Sequence, residues 1–260
     1  IDYIVGLKLL ESTDERKRKI LLLTSIFVNI GFLGFFKYFN FFSESFAQAF
    51  TLLGQPFDVS RLNIILPVGI SFYTFQTLSY SIDVYRRKME PTKDIIAFFS
   101  FVSFFPQLVA GPIERATNLL PQFYKKRNFE YLKAVDGLKQ ILWGLFKKVV
   151  IADNCAIVVN DIFANYASYS GSTLILGAIF FAFQIYGDFS GYSAIARGIS
   201  KWLGFDLIVN FRMPYFEISP KDFWSRWHIS LSTWLRDYLY IPLGGNKGVE
   251  WKIYRNLLLT

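Results

Sequence analysis

The chain is predicted to be all-α, a polytopic transmembrane helix bundle with re-entrant and interfacial amphipathic helices. Three observations predict this. Of its 260 residues, 53% are hydrophobic and 19% aromatic, while only 18% are charged; an average soluble domain carries roughly a quarter charged residues. Apolar runs long enough to cross a bilayer recur along the chain. The excess positive charge, +8 overall, falls in short clusters between those runs, which suits cytoplasmic loops and argues against a nucleic-acid-binding face.

The first predicted span is 20–42, rich in Leu, Ile, Phe and Gly and preceded by Arg16-Lys-Arg-Lys19. A helix needs about 20 residues to cross the hydrocarbon layer. The second is 63–82, with Pro67 near its start, running into Asp83-Val-Tyr-Arg-Arg-Lys88. The stretch 95–110 is apolar but short, and ends in Phe105-Pro-Gln-Leu-Val-Ala-Gly-Pro112, which favours a re-entrant or broken helix. A third crossing is predicted at 135–159, interrupted by Lys147 and Lys148, and a fourth at 174–199, which turns polar at Gln184, Asp188 and Ser190.

Basic clusters fall at 16–19, 86–93, 125–133 and 197–255, whereas 43–63 holds only Arg61 and 149–196 holds no Lys or Arg. With basic loops cytoplasmic, the four spans alternate correctly provided 95–109 enters and leaves on one side. Together they form one partial membrane domain over 1–260. The first residue is Ile1 rather than Met, and Ile253-Tyr-Arg-Asn-Leu-Leu-Leu-Thr260 resembles a further span just begun, so the expectation is a piece of a longer protein.

One cysteine, Cys155, excludes an internal disulfide and a cysteine metal cage; one histidine, His228, excludes paired-histidine metal sites within the chain. No metal and no bound cofactor are expected. His228 has the one side chain whose ordinary pKa suits proton transfer near neutral pH. It lies in the densest cluster of Trp and Arg. Ser219-Pro-Lys-Asp222 predicts a helix start, and Pro242 predicts its end. A single amphipathic helix over 220–240, wound at 100° per residue, places His228 between Leu235 and Leu239 on an apolar arc that also holds Trp224, Trp227, Trp234 and Tyr238. Ser230 falls on the polar side, and Asp222 and Arg226 are spaced for an i,i+4 pair. Two readings of the histidine stay open, a packed core imidazole and a chemical group. The tryptophans equally suit an interfacial belt, and Arg226 and Arg236 cytoplasmic anchors.

Several strings are similar to one family, the membrane-bound O-acyltransferases, and to its bacterial branch acting on alginate. They are Leu66-Pro-Val-Gly-Ile-Ser-Phe-Tyr-Thr-Phe-Gln76, Phe104-Phe-Pro-Gln-Leu-Val-Ala-Gly-Pro-Ile113, Gln184-Ile-Tyr-Gly-Asp-Phe-Ser-Gly-Tyr192, Asn210-Phe-Arg-Met-Pro-Tyr215 and Asp222-Phe-Trp-Ser-Arg-Trp-His-Ile-Ser-Leu231. Leu235-Arg-Asp-Tyr-Leu-Tyr-Ile-Pro-Leu-Gly-Gly245 continues the match, which covers nearly the whole chain. Each string also has a physical reading. The Pro-Gly breaks suit either a tunnel wall or ordinary kinks. Gln184 and Asp188 share a helix face, where they line a hydrated passage or pair with a basic residue of the histidine helix. Gly187 and Gly191 allow close helix contact.

The resemblance implies a helix bundle around a tunnel in a bacterial inner membrane. It implies transfer of an acyl group, in the first place acetyl, from a cytoplasmic thioester (acyl-CoA or acyl carrier protein) to hydroxyls of an exported polysaccharide such as alginate. The partners it implies are the lipid bilayer and periplasmic acetylation proteins. His228 matches the assisting histidine of the family, and the main catalytic one is expected beyond Thr260, so these 260 residues alone are expected to be inactive. Candidate tunnel or donor-binding residues are Gln184, Asp188, Ser190, Asn210, Trp224, Arg226, Trp227, Arg236 and Asp237. Two alternatives remain: D-alanyl transfer to teichoic acid, and a non-enzymatic transporter or scaffold with polar groups along a pore.

Overall fold

A computed structural model describes residues 1–54 and 62–260; Arg61, used in the charge accounting, lies outside them. Among the described residues the chain is all-helical, the class its composition predicts, with no strand. Two helices are long and apolar enough to cross a membrane, Glu15–Leu52 and Gly171–Trp202. The chain divides into two compact units, residues 1–104 with 115–123, and residues 105–114 with 124–260.

The first unit contains α1 (Asp2–Glu11), α2 (Glu15–Leu52), α3 (Ile70–Tyr85), α4 (Ile95–Val102) and α5 (Ala116–Tyr124). Asp14 caps α2 by accepting the Arg16 N–H at 2.9 Å. The 38 residues of α2 extend well past the predicted 20–42, and Gly34–Tyr38 form a π turn within them. The unit is held by buried polar contacts rather than by apolar surface alone. The Asp2 carboxylate accepts from Ser25 Oγ (2.5 Å), Asn29 Nδ2 (3.0 Å) and Ser81 Oγ (3.0 Å), tying α1 to α2 and α3. A buried carboxylate survives only when its lone pairs are satisfied in this way. Here α3 begins at Ile70, not near 63, because the Pro67 ring disfavours helix in the residue before it and Gly69 takes φ 76° as the cap. Asp94 caps α4 through the N–H groups of Ile96 and Ala97, and α4 stops at Val102, so the 95–110 segment is broken as its prolines predict.

The second unit contains a 3₁₀ turn (Phe105–Gln107), α6 (Tyr131–Leu145), a π segment (Phe146–Ala152), α7 (Asp153–Ala164), α8 (Gly171–Trp202), α9 (Pro220–Arg226), α10 (Ile229–Leu235), a second π segment (Arg236–Tyr240) and α11 (Glu250–Leu259). Helix α6 runs antiparallel to α8 with backbones in contact. A Cβ built on Gly137 would lie 2.7 Å from Gly198 O, and one on Gly144 would lie 2.6 Å from Gly191 O. Small residues at both crossings permit this approach, the usual driving device between helices in lipid. Lys147 and Lys148 do not interrupt the predicted 135–159 helix. They sit in the π segment, where one widened turn lets the helix continue.

Candidate functional site

A clamp on α8 and the following loop determines the shape of the histidine segment. Helix α9 starts as predicted: Ser219 Oγ accepts the Asp222 N–H at 3.1 Å, with Pro220 at the first helical position. It then stops at Arg226. His228 adopts left-handed backbone angles, φ 43° and ψ 54°, and α10 begins at the next residue. The single 220–240 helix is therefore not present. The predicted arc fails with it: Trp224 is 60% exposed, whereas Ser230, expected on the polar side, is 2% exposed.

The reason lies outside the segment. Residues 208–212, which form no regular helix or strand, run beside it, and Arg212 N donates to Arg226 O at 3.1 Å. Ile229 N donates to Asn210 O at 3.0 Å. The buried Asn210 side chain accepts from Ser230 N (3.2 Å) and Ser230 Oγ (2.7 Å), and donates to Ser193 Oγ on α8 at 3.3 Å. These bonds take over donors that a continuous helix would have used internally, so the helix breaks where the competing partner is best. A left-handed non-glycine residue costs roughly 1–3 kcal/mol and persists only where its surroundings over-determine it.

The His228 ring packs edge-on against Phe189 of α8, with centroids 4.6 Å apart. Its Nε2 is buried and has no hydrogen-bond partner. Burial pushes its pKa down to about 4, so the imidazole is neutral at pH 7 and one ring nitrogen is unprotonated. Trp227, beside it, stacks on Phe223 (5.6 Å) and Tyr215 (6.0 Å) and meets Phe211 edge-on at 5.1 Å. This aromatic cluster holds the segment against α8 through Tyr186.

Two cavities flank the histidine's neighbours. One, about 470 Å³, is lined by residues of α6 and the π segment after it, α8, the 209–213 segment and the end of α9, among them Lys147, Ser190, Arg197, Asn210, Arg212 and Arg226. The other, about 330 Å³, is lined by Phe189, Tyr192, Ile195 and Ala110 with Lys148 and Asp188. Of the predicted residues, Ser190, Asn210 and Arg226 line the first and Asp188 lines the second. Gln184 is half-buried on α8 with an unpartnered Oε1. Arg236 lies apart, exposed and paired with its neighbour Asp237 at 2.7 Å.

Several expected pairings are corrected. Asp188 does not pair with the histidine segment; Lys148 holds it at 2.6 Å and holds Asp153 at the same distance. Arg226 does not pair with Asp222 but with Glu217, at 2.6 Å. The π segment brings both lysines toward α8, Lys147 donating to Ser190 O at 3.1 Å. Sequence reasoning missed Glu114, Ser193 and Ser230. Glu114 is fully buried and accepts the Ile208 N–H at 2.5 Å, which anchors the 208–212 segment. Its position just after the Gly111-Pro112 break was the available signal.

Comparison with known proteins identifies relatives of the chain. The family model described as MBOAT, membrane-bound O-acyltransferase family, matches residues 89–260. The Pseudomonas syringae protein named "Probable alginate O-acetylase AlgI" is 44% identical over 100% of this chain and 50% of its own length. The Helicobacter pylori "Peptidoglycan O-acetyltransferase" is 38% identical over 100% of this chain and 53% of its own. The Bacillus subtilis "Teichoic acid D-alanyltransferase" is 29% identical over 69% of this chain and 46% of its own. The chain thus spans about half the length of the curated relatives it matches.

Proposed function

The chain belongs to the membrane-bound O-acyltransferase family, and from that premise we propose that its full-length protein transfers an acetyl group from a cytoplasmic thioester to hydroxyls of an exported, alginate-like polysaccharide. The chain is a membrane protein. A multi-pass arrangement in a bacterial inner membrane, with 95–110 re-entrant and 220–240 interfacial, is part of the same proposal, as are periplasmic acetylation partners.

The observation that carries the reading is the state of His228: neutral, desolvated, and with Nε2 unpartnered. Acyl transfer needs a base for the acceptor hydroxyl. The alkoxide oxygen attacks the thioester carbonyl, the tetrahedral adduct collapses, and the C–S bond breaks. The proton taken from the hydroxyl then goes to the departing thiolate. An imidazole that is neutral at rest takes the hydroxyl proton and, as the imidazolium so formed, delivers it to the thiolate. The family resemblance gives the larger share to a second histidine; these 260 residues contain one, so His228 is assigned the assisting role.

Acetyl is preferred over D-alanyl because the relatives named as acetylases cover all of this chain at 38–44% identity, against 69% at 29% for a named D-alanyltransferase. The test is acyl transfer in membranes holding the full-length parent or its His228→Ala variant, with radiolabelled acetyl and D-alanyl donors. Acetyl transfer by the parent and a large loss in the variant are expected. No transfer by the parent with either donor would leave a transporter or scaffold role instead.

A further inference from the structure

The hydrogen bonds around Asn210 have a fixed sense. Ser193 of α8 has one hydroxyl proton, and it goes to Ala110 O at 3.3 Å. Toward Asn210 the Ser193 oxygen is therefore only an acceptor, and it takes the Nδ2–H at 3.3 Å. That bond turns the amide so that Oδ1 faces Ser230, whose N–H and hydroxyl both donate to it. A flipped amide would set Nδ2–H against Ser230 N–H, donor against donor, and would face Ser193 with an acceptor when its proton is already committed. Ser193, Asn210 and Ser230 are all buried, so water does not satisfy the wrong arrangement. The Ala110 carbonyl is presented by the turn at Gly111, where a Cβ would run into Gln107 Cα.

His228 lies just before the two residues this chain of bonds holds. In a continuous helix Ser230 N would donate to Arg226 O; here that carbonyl accepts from Arg212 N, and Ser230 N goes to Asn210. Residue 228 is left-handed as a result, and its ring points where a helical residue would not send it. The ring rests on Phe189, which sits one helical turn before Ser193 and on the same face of α8. Helix α8 thus grips the histidine twice, at the ring through Phe189 and at the backbone through Ser193 and Asn210. We propose that Ser193 and Asn210 are positioning residues for acyl transfer: together they orient the amide that keeps His228 left-handed, and so aim its imidazole. The proposal rests on the acyl-transfer reading. It gives Asn210 a role toward His228 in place of the donor-binding one, since its amide oxygen and nitrogen both have protein partners.

The test uses the full-length parent and two hydroxyl deletions, Ser193→Ala and Ser230→Ala, with transfer from acetyl-coenzyme A followed per folded molecule. Ser193→Ala is expected to lower kcat about 10- to 100-fold, the effect of misplacing a reacting group by about 1 Å, with KM within about 2-fold of the parent's. Because both hydroxyls act through one amide, the double variant should lose little more than the larger single loss. Nuclear magnetic resonance of 15N-histidine-labelled protein gives a reading independent of turnover. The His228 signals, identified by their absence from His228→Gln, should move in Ser193→Ala. Unchanged kcat with unmoved His228 signals overturns the proposal. So does a raised KM at unchanged kcat, which would make Ser193 a substrate contact, and so do losses that multiply in the double variant. Should Ser193→Ala fail to fold, Ser230→Ala carries the same comparison. A parent that transfers nothing, while its His228 signals still move in Ser193→Ala, removes the acyl-transfer reading and upholds the link from α8 to the ring.

Discussion

The Oδ1 atom of Asn210 accepts both the backbone N–H and the hydroxyl of Ser230, at 3.2 and 2.7 Å. Both residues are buried, so neither partner can turn to water if the other is removed. Asn210→Ala should destabilise the protein by about 2–3 kcal/mol, since it strands a buried amide and a buried hydroxyl together. Ser230→Ala removes the hydroxyl's bond alone, leaves the backbone N–H bond in place and should lose about 1 kcal/mol. Thermal melts of the full-length protein in detergent measure both; equal effects would mean that the clamp does not act through Asn210.

His228 makes separate demands through its backbone and its ring. At φ 43° an Asn is tolerated and a β-branched residue is not. His228→Asn should therefore fold normally and lose acyl transfer, whereas His228→Val should also lose roughly 1–3 kcal/mol of stability from backbone strain. Equal melting temperatures for the two variants would contradict the left-handed conformation.

Acid should destabilise the fold through the same residue. The folded-state pKa is pushed down to about 4 by burial, below the ordinary 6.5. Between those values the unfolded chain binds a proton that the folded chain refuses, so stability rises with pH across that window. The contribution is complete above about pH 6.5 and is lost progressively down to pH 4. Comparing the pH dependence of melting with that of His228→Gln isolates it. A slope unchanged by the substitution would mean that the ring titrates normally.

Glycine substitutions should divide by position. A Cβ on Gly144 or Gly191 meets the opposite backbone at 2.6–2.8 Å, while one on Gly31 meets nothing within 4 Å. Gly191→Val should abolish stable folding or expression in membranes; Gly31→Ala should be neutral or stabilising by up to about 1 kcal/mol. Fluorescence-detected size exclusion distinguishes them.

The Lys148 ammonium joins Asp153 and Asp188. Asp188→Asn leaves one charged pair intact and should change stability by less than about 1 kcal/mol. Lys148→Met leaves the Asp153 and Asp188 carboxylates facing each other without a cation and should sharply lower the amount of folded protein, read by the same chromatography. Equal yields of the two variants would place this face in bulk water.

The all-helical class, the long apolar helices near 20–42 and 174–199 and the helix start at Ser219 were legible from local properties of the chain. Apolar run length, charge clusters and the Ser-Pro-x-Asp cap act over a few residues, and short-range patterns report them faithfully. The family strings likewise pointed to His228 and to Asn210 without any coordinates.

What only tertiary structure decided was how those residues meet. Periodicity continued the histidine helix through 228 because each residue there favours helix well enough when considered alone. Asn210, nineteen and twenty positions earlier, offers the 229 and 230 backbone better partners, and a bond to a distant residue leaves no local trace. The same holds for Lys148, which draws Asp188 away from the histidine segment, and for Lys147 of the π segment and Arg197 of α8, which line one cavity with Arg212. Local sequence sets which groups are available; the competition among distant partners for each buried donor, acceptor and charge sets where they go.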